Sequence, residues 1–162
     1  METINVGKMV NTHGIKGEVR LLSDFPYKDI VFQPGNKVYV GANQVPVTIE
    51  RYRKHKNFDM LTFQEFQNIN DCLPFVGYPV YANRDQFDED CIIEEELIGY
   101  QVQMDTQTIG IVTAILKNPA NNLLVIQSQE KEYLVPNIDE FVEEINQKEK
   151  TIHIKYHKGL IE

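Results

Sequence analysis

The sequence VGKMVNTHGIKGEVRLL, residues 6–22, carries the clearest structural pattern in the chain. An apolar run and an alternating run flank a short segment in which Gly14 and Gly17 lie three positions apart. Glycine adopts backbone angles with positive φ that a Cβ atom penalises, so this segment predicts a tight turn between two strands. His13 leads into the turn, and Lys16 lies between the glycines. We therefore expect a hairpin that opens a β fold.

Short strands continue beyond this hairpin. Residues 45–50 alternate between apolar and other side chains, which predicts a strand with one buried face and one wet face. Five or six strands at turn-separated intervals over residues 4–63 predict a barrel or a sandwich. The polar residues 68–71 predict the start of a short helix, which Pro74 limits to a turn or two. A closing strand is expected at 79–82.

The second half repeats this β pattern and predicts a second small barrel. Alternating or continuous apolar runs predict strands at residues 100–104, 109–116, 123–126, 132–135 and 151–156. Residues 139–145 predict one helical turn that packs Phe141, Val142 and Ile145.

Charge divides the chain into two halves. Residues 1–84 hold 10 Lys/Arg and 8 Asp/Glu, whereas residues 85–162 hold 6 Lys/Arg and 16 Asp/Glu, which reproduces the net charge of −8. Such asymmetry suggests two domains with different partners, because an acidic surface repels phosphate and attracts basic proteins. We predict domains at 1–84 and 97–162, joined by an acidic linker at 85–96.

Several function classes lack their sequence signatures. No apolar run reaches the roughly 18 residues that span a bilayer, and the N-terminus lacks a signal-peptide pattern, so a cytoplasmic protein is expected. Cys72 and Cys91 form neither a disulfide framework nor a zinc pattern. His153 and His157 have no third ligand nearby in sequence. We find no phosphate-binding loop, nucleophile elbow or catalytic constellation, and expect a binding protein without metal or cofactor.

The strongest nucleic-acid signal is RYRKHK at residues 51–56. Arg51, Arg53, Lys54 and Lys56 place four fixed positive charges around an aromatic ring, which suits a phosphate backbone or a stacked base. A solvated strand end that balances nearby acids explains the same pattern, and from the sequence alone this explanation is slightly favoured.

Motifs along nearly the whole chain resemble those of the ribosome maturation factor RimM family. They are V-G-K-M-V-N-T-H-G-I-K-G-E-V-R at 6–20, Asn70-Asp71 ahead of Gly77, the acidic run into Glu96-Leu97-Ile98-Gly99-Tyr100-Gln101-Val102, Ile109-Gly110-Ile111-Val112, Asn121-Asn122-Leu123-Leu124-Val125-Ile126, Leu134-Val135-Pro136, Phe141-Val142 and Gly159-Leu160-Ile161.

This resemblance implies an all-β fold of two small β-barrels, the first similar to barrels of translation factors and the second a PRC barrel. It implies a non-enzymatic, chaperone-like factor for late assembly of the small ribosomal subunit. Such a factor binds the immature subunit, notably small-subunit ribosomal protein nineteen in its head, and aids maturation of the ribosomal RNA. A monomer that needs no cofactor and no membrane is expected.

The resemblance also directs attention to particular residues. The expected partner-binding set near the linker is Ile92, Ile93, Leu97, Gly99 and Phe141, with a core role an equal alternative for Phe141. In the opening loop, Gly14 and Gly17 shape the turn and Lys16 at its tip is a candidate RNA contact, together with the basic residues of the 51–56 segment.

Two departures from the family pattern stand out. Ile92-Ile93 replace an aromatic pair, which removes ring stacking and hydroxyl hydrogen bonds. The turn at 105–108 lacks the usual glycine. Three alternatives remain open at this point: a general RNA-binding β-barrel, against which the overall acidity argues; an enzyme subunit with a site built from both halves; and a PRC-type adaptor for another complex.

Overall fold

A computed structural model describes residues 1–155, which form two compact units that divide between Asp88 and Glu89. The predicted contributions of Tyr156, His157 and the closing residues 159–161 lie outside the described residues. Each unit is built mainly from β-strands, as the sequence patterns predict.

The first unit is a closed six-stranded barrel with strand order β1-β2-β5-β4-β3-β6. Its elements are β1 Thr3–His13, β2 Glu18–Leu22, α1 Lys28–Val31, β3 Lys37–Val40, β4 Val45–His55, β5 Phe58–Phe63, α2 Ile69–Cys72 and β6 Pro79–Asn83, with 3-10 turns at Leu73–Phe75 and Arg84–Gln86. The long strand β1 pairs with both β2 and β6, and so closes the barrel. Met9, Val19 and Leu21 are fully buried in its core.

The opening hairpin is held against the capped end of α2. Gly14 and Gly17 both have positive φ, which confirms the predicted turn. A Cβ at Gly17 would lie 3.3 Å from the carbonyl oxygen of Asn68. Asn68 caps α2 as predicted, with the reciprocal side-chain bond supplied by Asp71. The Ile69 amide donates to the carbonyl of Ile15 at 3.2 Å and the Cys72 thiol donates to the carbonyl of Gly17 at 3.3 Å, so the turn is held at two points.

The second unit is a six-stranded sheet with order β10-β9-β8-β7-β12-β11. Its strands are β7 Gln101–Met104, β8 Gln107–Leu116, β9 Leu123–Gln127, β10 Glu132–Pro136, β11 Val142–Asn146 and β12 Thr151–Ile154, preceded by a 3-10 turn at Glu94–Leu97. Strands β12 and β7 pair in parallel, and the other pairs are antiparallel.

The helical turn predicted at residues 139–145 is wrong, because Val142 begins strand β11. Val142 pairs with Ile154 and Ile145 pairs with Ile152, with a bulge between them. Because of the extra residue, Val142 and Ile145 lie three positions apart in sequence although both face the core. Apolar residues three positions apart are also typical of one face of a helix.

Apolar residues of the predicted linker join the unit in which they lie. The Phe87 ring packs against those of Phe25 and Tyr27 in the first unit. Ile92 packs against the core of the second unit, which is centred on Val102, Leu124 and other buried strand residues. Contacts within each unit therefore account for two of the apolar side chains in this acidic segment.

Gly110 should be the least substitutable position of β8. A Cβ there would lie 2.5 Å from the backbone oxygen of Gln127, so any side chain must separate β8 from β9. We expect Gly110→Ala to lower the free energy of unfolding by about 1–3 kcal/mol in urea denaturation. The control Thr108→Ala, at an exposed position of the same strand, should change it by less than about 0.5 kcal/mol. Equal stability of the two variants would contradict this packing.

Candidate functional site

The basic 51–56 segment forms the end of β4 and the turn after it, and a carboxylate of β2, the strand on the other side of β5, neutralises one of its cations. Arg53 donates two hydrogen bonds to the carboxylate of Glu18, from Nε to Oε2 at 2.9 Å and from Nη2 to Oε1 at 2.7 Å. The hydrogen bond from Arg53 holds the pKa of Glu18 below its ordinary value. A bidentate pair of this kind leaves little charge for a phosphate, so the predicted contact at Arg53 competes with an internal partner.

Two further residues of the segment face a buried carboxylate. Asp59 is fully buried, and its oxygens lie 2.8 Å from Lys28 Nζ and 3.6 Å from Lys54 Nζ. The Tyr52 hydroxyl donates to Asp59 at 2.5 Å, and the Tyr52 ring stacks on Phe32. Burial of the phenol, together with the hydrogen bond to Asp59, raises the pKa of Tyr52 to about 12. Tyr52 and Lys54 therefore serve the barrel itself.

The remaining cations are free of ion pairs. Within residues 1–155, no ion pair involves Lys16, Arg51 or Lys56. Lys16 and Arg51 come together at a groove of about 580 Å³ beside the opening hairpin. The structure thus brings the predicted loop residues Gly14 and Lys16 together with one of the four predicted basic residues of the 51–56 segment.

Most of the partner-binding set predicted near the linker supports the second unit from within. Leu97 and Ile93 are 1% and 2% exposed. Ile92 and Phe141 pack against the core cluster of this unit. Gly99 has a φ of +98°, and its amide donates to the carbonyl of Val112 at 2.8 Å. Burial gives Ile93 and Leu97 almost no surface for a partner, whereas the exposed Gly99 lies beside strand β8.

A solvent-facing apolar surface that sequence analysis missed lies on the other side of this sheet. Strands β8, β9 and β10 pair so that Leu134, Val125 and Ala114 form one row and Pro136, Leu123 and Leu116 form the next. Directly paired residues share a face of the sheet. The opposite face carries the core residues Val112, Leu124, Ile126 and Val135.

We name these six residues, together with Ile111, the outer apolar face. Its members Ile111, Leu116 and Leu134 are 45–46% exposed, and Ile98, next to Gly99, is 49% exposed. The sequence signal for this face was the continuous apolar run of β9, which places apolar side chains on both faces of the sheet. Such a run is also typical of a strand that is buried on both faces, so it does not by itself indicate an exposed surface.

Part of the acidity around this unit is structurally engaged. Glu94 accepts hydrogen bonds from the side-chain amides of Asn122 and Asn137 at 2.7 and 2.8 Å, and it lies 3.7 Å from Lys117 Nζ. Residues 89–155 nevertheless hold 13 Asp/Glu against 5 Lys. The described part of the second unit therefore carries a net negative charge.

Two absences hold for the described part of the chain. Among residues 1–155, no three His, Cys, Asp or Glu side chains converge in a way that could hold a metal ion. No helix in this range is long and apolar enough to cross a membrane.

These features define a class of protein: a two-domain, all-β protein. One domain has a groove lined by two unpaired cations, and the second, acidic domain has an exposed apolar face. Comparison with known proteins narrows this class. Residues 4–87 match the RimM N-terminal domain family, and residues 94–160 match the RimM PRC barrel domain family.

Full-length relatives agree. Ribosome maturation factor RimM from two Staphylococcus aureus strains, MRSA252 and Newman, is 39% identical over 168 aligned positions, which cover 98% of this chain and 99% of each relative. A crystal structure of a RimM protein from Pseudomonas aeruginosa covers 96% of this chain and 98% of its own, with 19% identity and a TM-score of 0.48. The chain belongs to the RimM family. This confirms the family resemblance and the all-β fold of an N-terminal RimM domain and a PRC barrel.

The buried Tyr52–Asp59 contact predicts a late-titrating tyrosine. Because folding raises the pKa of Tyr52 from about 10 to about 12, the contact stabilises the protein below pH 10, and that stabilisation is lost as the pH rises to 12. In an absorbance titration of phenolate, Tyr52→Phe should remove one ionisation near pH 12, while Tyr78→Phe, at an exposed position, should leave it intact. Circular dichroism would verify that the chain remains folded. An unchanged late phase in Tyr52→Phe would contradict the assignment.

Proposed function

We propose that this chain is an accessory factor for late assembly of the small ribosomal subunit. It binds small-subunit ribosomal protein nineteen through its second domain, contacts immature ribosomal RNA through its first, and aids maturation of that RNA. Membership of the ribosome maturation factor family over nearly the whole chain supports the general role. The observation that carries the specific partner is an outer apolar face within a strongly acidic domain.

The outer apolar face has the composition of a protein-docking surface. Exposed apolar side chains that cluster on one sheet mark interaction sites, because soluble proteins otherwise bury such area. Leu134 lies on the same row as the well-buried Val125, and Leu116 lies on the next row, so a partner would extend the packed layer around β9. The surrounding carboxylates attract a basic partner and repel RNA. A ribosomal protein with an apolar contact surface and basic surroundings fits both properties.

The mechanism we propose is selective binding. A factor that binds one arrangement of a protein–RNA junction more tightly than its alternatives raises the population of that arrangement. No bond is made or broken in this step, so the factor acts without catalysis, as a single copy, and needs no cofactor. The segment 85–96 is the proposed linker, and it lets each domain engage its own ligand.

A PRC-type adaptor for a non-ribosomal complex would use the same outer apolar face. The two functions differ in their preferred partner, because an adaptor would bind ribosomal protein nineteen no better than any other basic protein of similar size and charge. Comparison of these two ligands therefore separates the functions.

The proposal is tested by calorimetric titration of the full chain with purified small-subunit ribosomal protein nineteen at two salt concentrations. Leu116→Ser and Leu134→Ser should each weaken binding about tenfold, since truncation of a buried contact commonly costs more than 1 kcal/mol. The control Leu73→Ser removes an equally exposed leucine from the first unit and should leave the affinity unchanged. Higher salt should weaken binding by screening the carboxylates.

The outcomes separate clearly. Weaker binding by Leu116→Ser and Leu134→Ser, with unchanged binding by Leu73→Ser, supports the proposed interface. Failure of the folded wild-type chain to bind, or equal binding of an unrelated basic protein, would overturn the partner assignment. Equal affinities of Leu116→Ser, Leu134→Ser and Leu73→Ser would overturn the placement of the interface.

A further inference from the structure

The groove of the first unit has a fixed apolar lining. Phe66 is 8% exposed there, and it is held in place by the fully buried Phe63, which it meets edge to face with centroids 5.5 Å apart, and by Phe75, on which it stacks. Ile15 adds a side chain that is 79% exposed. Because its backbone carbonyl is bonded to Ile69, the turn holds this apolar side chain in solvent without collapsing onto the barrel.

A bulge in β4 places two charges of opposite sign at this groove. The pairing of β4 with β5 shifts between Ile49 and Arg51, so that Glu50 is the extra residue. Bulges redirect side chains, and both Glu50 and Arg51 line the groove although they are adjacent in a strand. Lys16 approaches from the hairpin turn and supplies a second cation.

Neutral polar side chains on the groove wall are available to a ligand. Within residues 1–155, the side-chain amide of Gln64 and the hydroxyl of Thr62 form no hydrogen bond, while the Glu18 carboxylate is occupied by Arg53. The groove thus combines an apolar surface, two unpaired cations, one carboxylate and two neutral hydrogen-bonding groups.

We propose that this groove binds one unstacked nucleotide of single-stranded RNA. The base lies against Ile15 and the rim of Phe66, its edge bonds to Gln64 and Thr62, and Glu50 accepts a hydrogen bond from an exocyclic amino group. Lys16 and Arg51 hold the flanking phosphates. The inference rests on the proposed RNA-binding role of this domain and defines the form of RNA that it recognises.

Single-stranded RNA fits these observations better than a duplex. A duplex offers phosphates and hydroxyl groups but keeps its base faces stacked, so it would leave the apolar lining unused. Unpaired bases can be splayed out, packed on side chains and bonded along their edges. The volume of about 580 Å³ is of the size that holds a small ligand such as a single nucleotide.

The test is fluorescence anisotropy with the full chain and labelled RNA. The probes are eight-nucleotide oligo(A), oligo(C) and oligo(U), and a 12-base-pair RNA duplex. At least one single strand should bind more tightly than the duplex, and oligo(A) or oligo(C), which carry amino groups, should bind more tightly than oligo(U). Equal or tighter binding of the duplex relative to every single strand would overturn the proposal.

Variants locate the contact. Lys16→Gln and Arg51→Gln should each weaken binding about three- to tenfold and reduce the slope of log K against log salt by about 0.7. The control Lys37→Gln removes the same charge from an exposed position on β3 and should have no comparable effect. Losses in the groove variants no greater than in this control would overturn the site.

Two further variants separate base recognition from charge. Ile15→Ser should weaken single-strand binding about fivefold or more with an unchanged salt slope, as expected for loss of apolar contact with a base. Glu50→Gln should narrow the preference for amino-bearing bases over oligo(U). If both variants keep the wild-type affinity for single strands and the wild-type preference for amino-bearing bases, the assignment of a nucleotide pocket is overturned.

The RNA and protein tests fail independently. A chain that binds ribosomal protein nineteen but no RNA would overturn this inference and leave the protein arm of the proposed function standing. A chain that binds single-stranded RNA in the groove but not the ribosomal protein would uphold this inference and overturn the partner assignment.

Discussion

The fully buried carboxylate of Asp59 constrains much of the first barrel. An ionised group in the interior is tolerated only when opposite charges and hydrogen bonds compensate for the lost water. Its compensating groups come from two elements: Lys28 on α1, and Tyr52 with Lys54 on β4. The position of α1 and the register of β4 against β5 are therefore coupled, since sliding either one would remove part of this compensation.

This constraint decides which basic residues remain available for function. Inward pairing occupies Lys54, and the hydrogen bonds of Arg53 to Glu18 occupy a second cation. The bulge before Arg51 then turns the remaining guanidinium towards the groove that Lys16 also lines. The positive charge available to a phosphate is thus smaller and more localised than the four basic residues of the 51–56 segment suggest. Such localisation favours a defined contact over diffuse attraction to any polyanion.

Local patterns made the hairpin and the capped helix predictable, because Gly14, Gly17 and Asn68 act on their immediate neighbours. Features that depend on strand pairing were not accessible in this way. Glu18 and Arg53 are 35 positions apart and meet only because β2 and β4 flank β5. The bulge in β11 likewise gave the apolar residues of this strand a spacing in sequence that is typical of a helix. Sequence therefore located candidate residues, while pairing decided which of them reach a common surface.

The proposed role of the outer apolar face requires that exposed apolar side chains do not drive association of identical chains. A sheet with apolar side chains on both faces risks association with copies of itself, and β10 lies at the end of the described sheet, where its outer backbone groups invite pairing. Glu132 lies on this strand, and Glu130 directly precedes it. Carboxylates at an edge oppose contact between identical acidic domains through like-charge repulsion. In the proposed function the same charges attract a basic partner, so one electrostatic feature would both oppose self-association and favour the partner that covers the apolar surface.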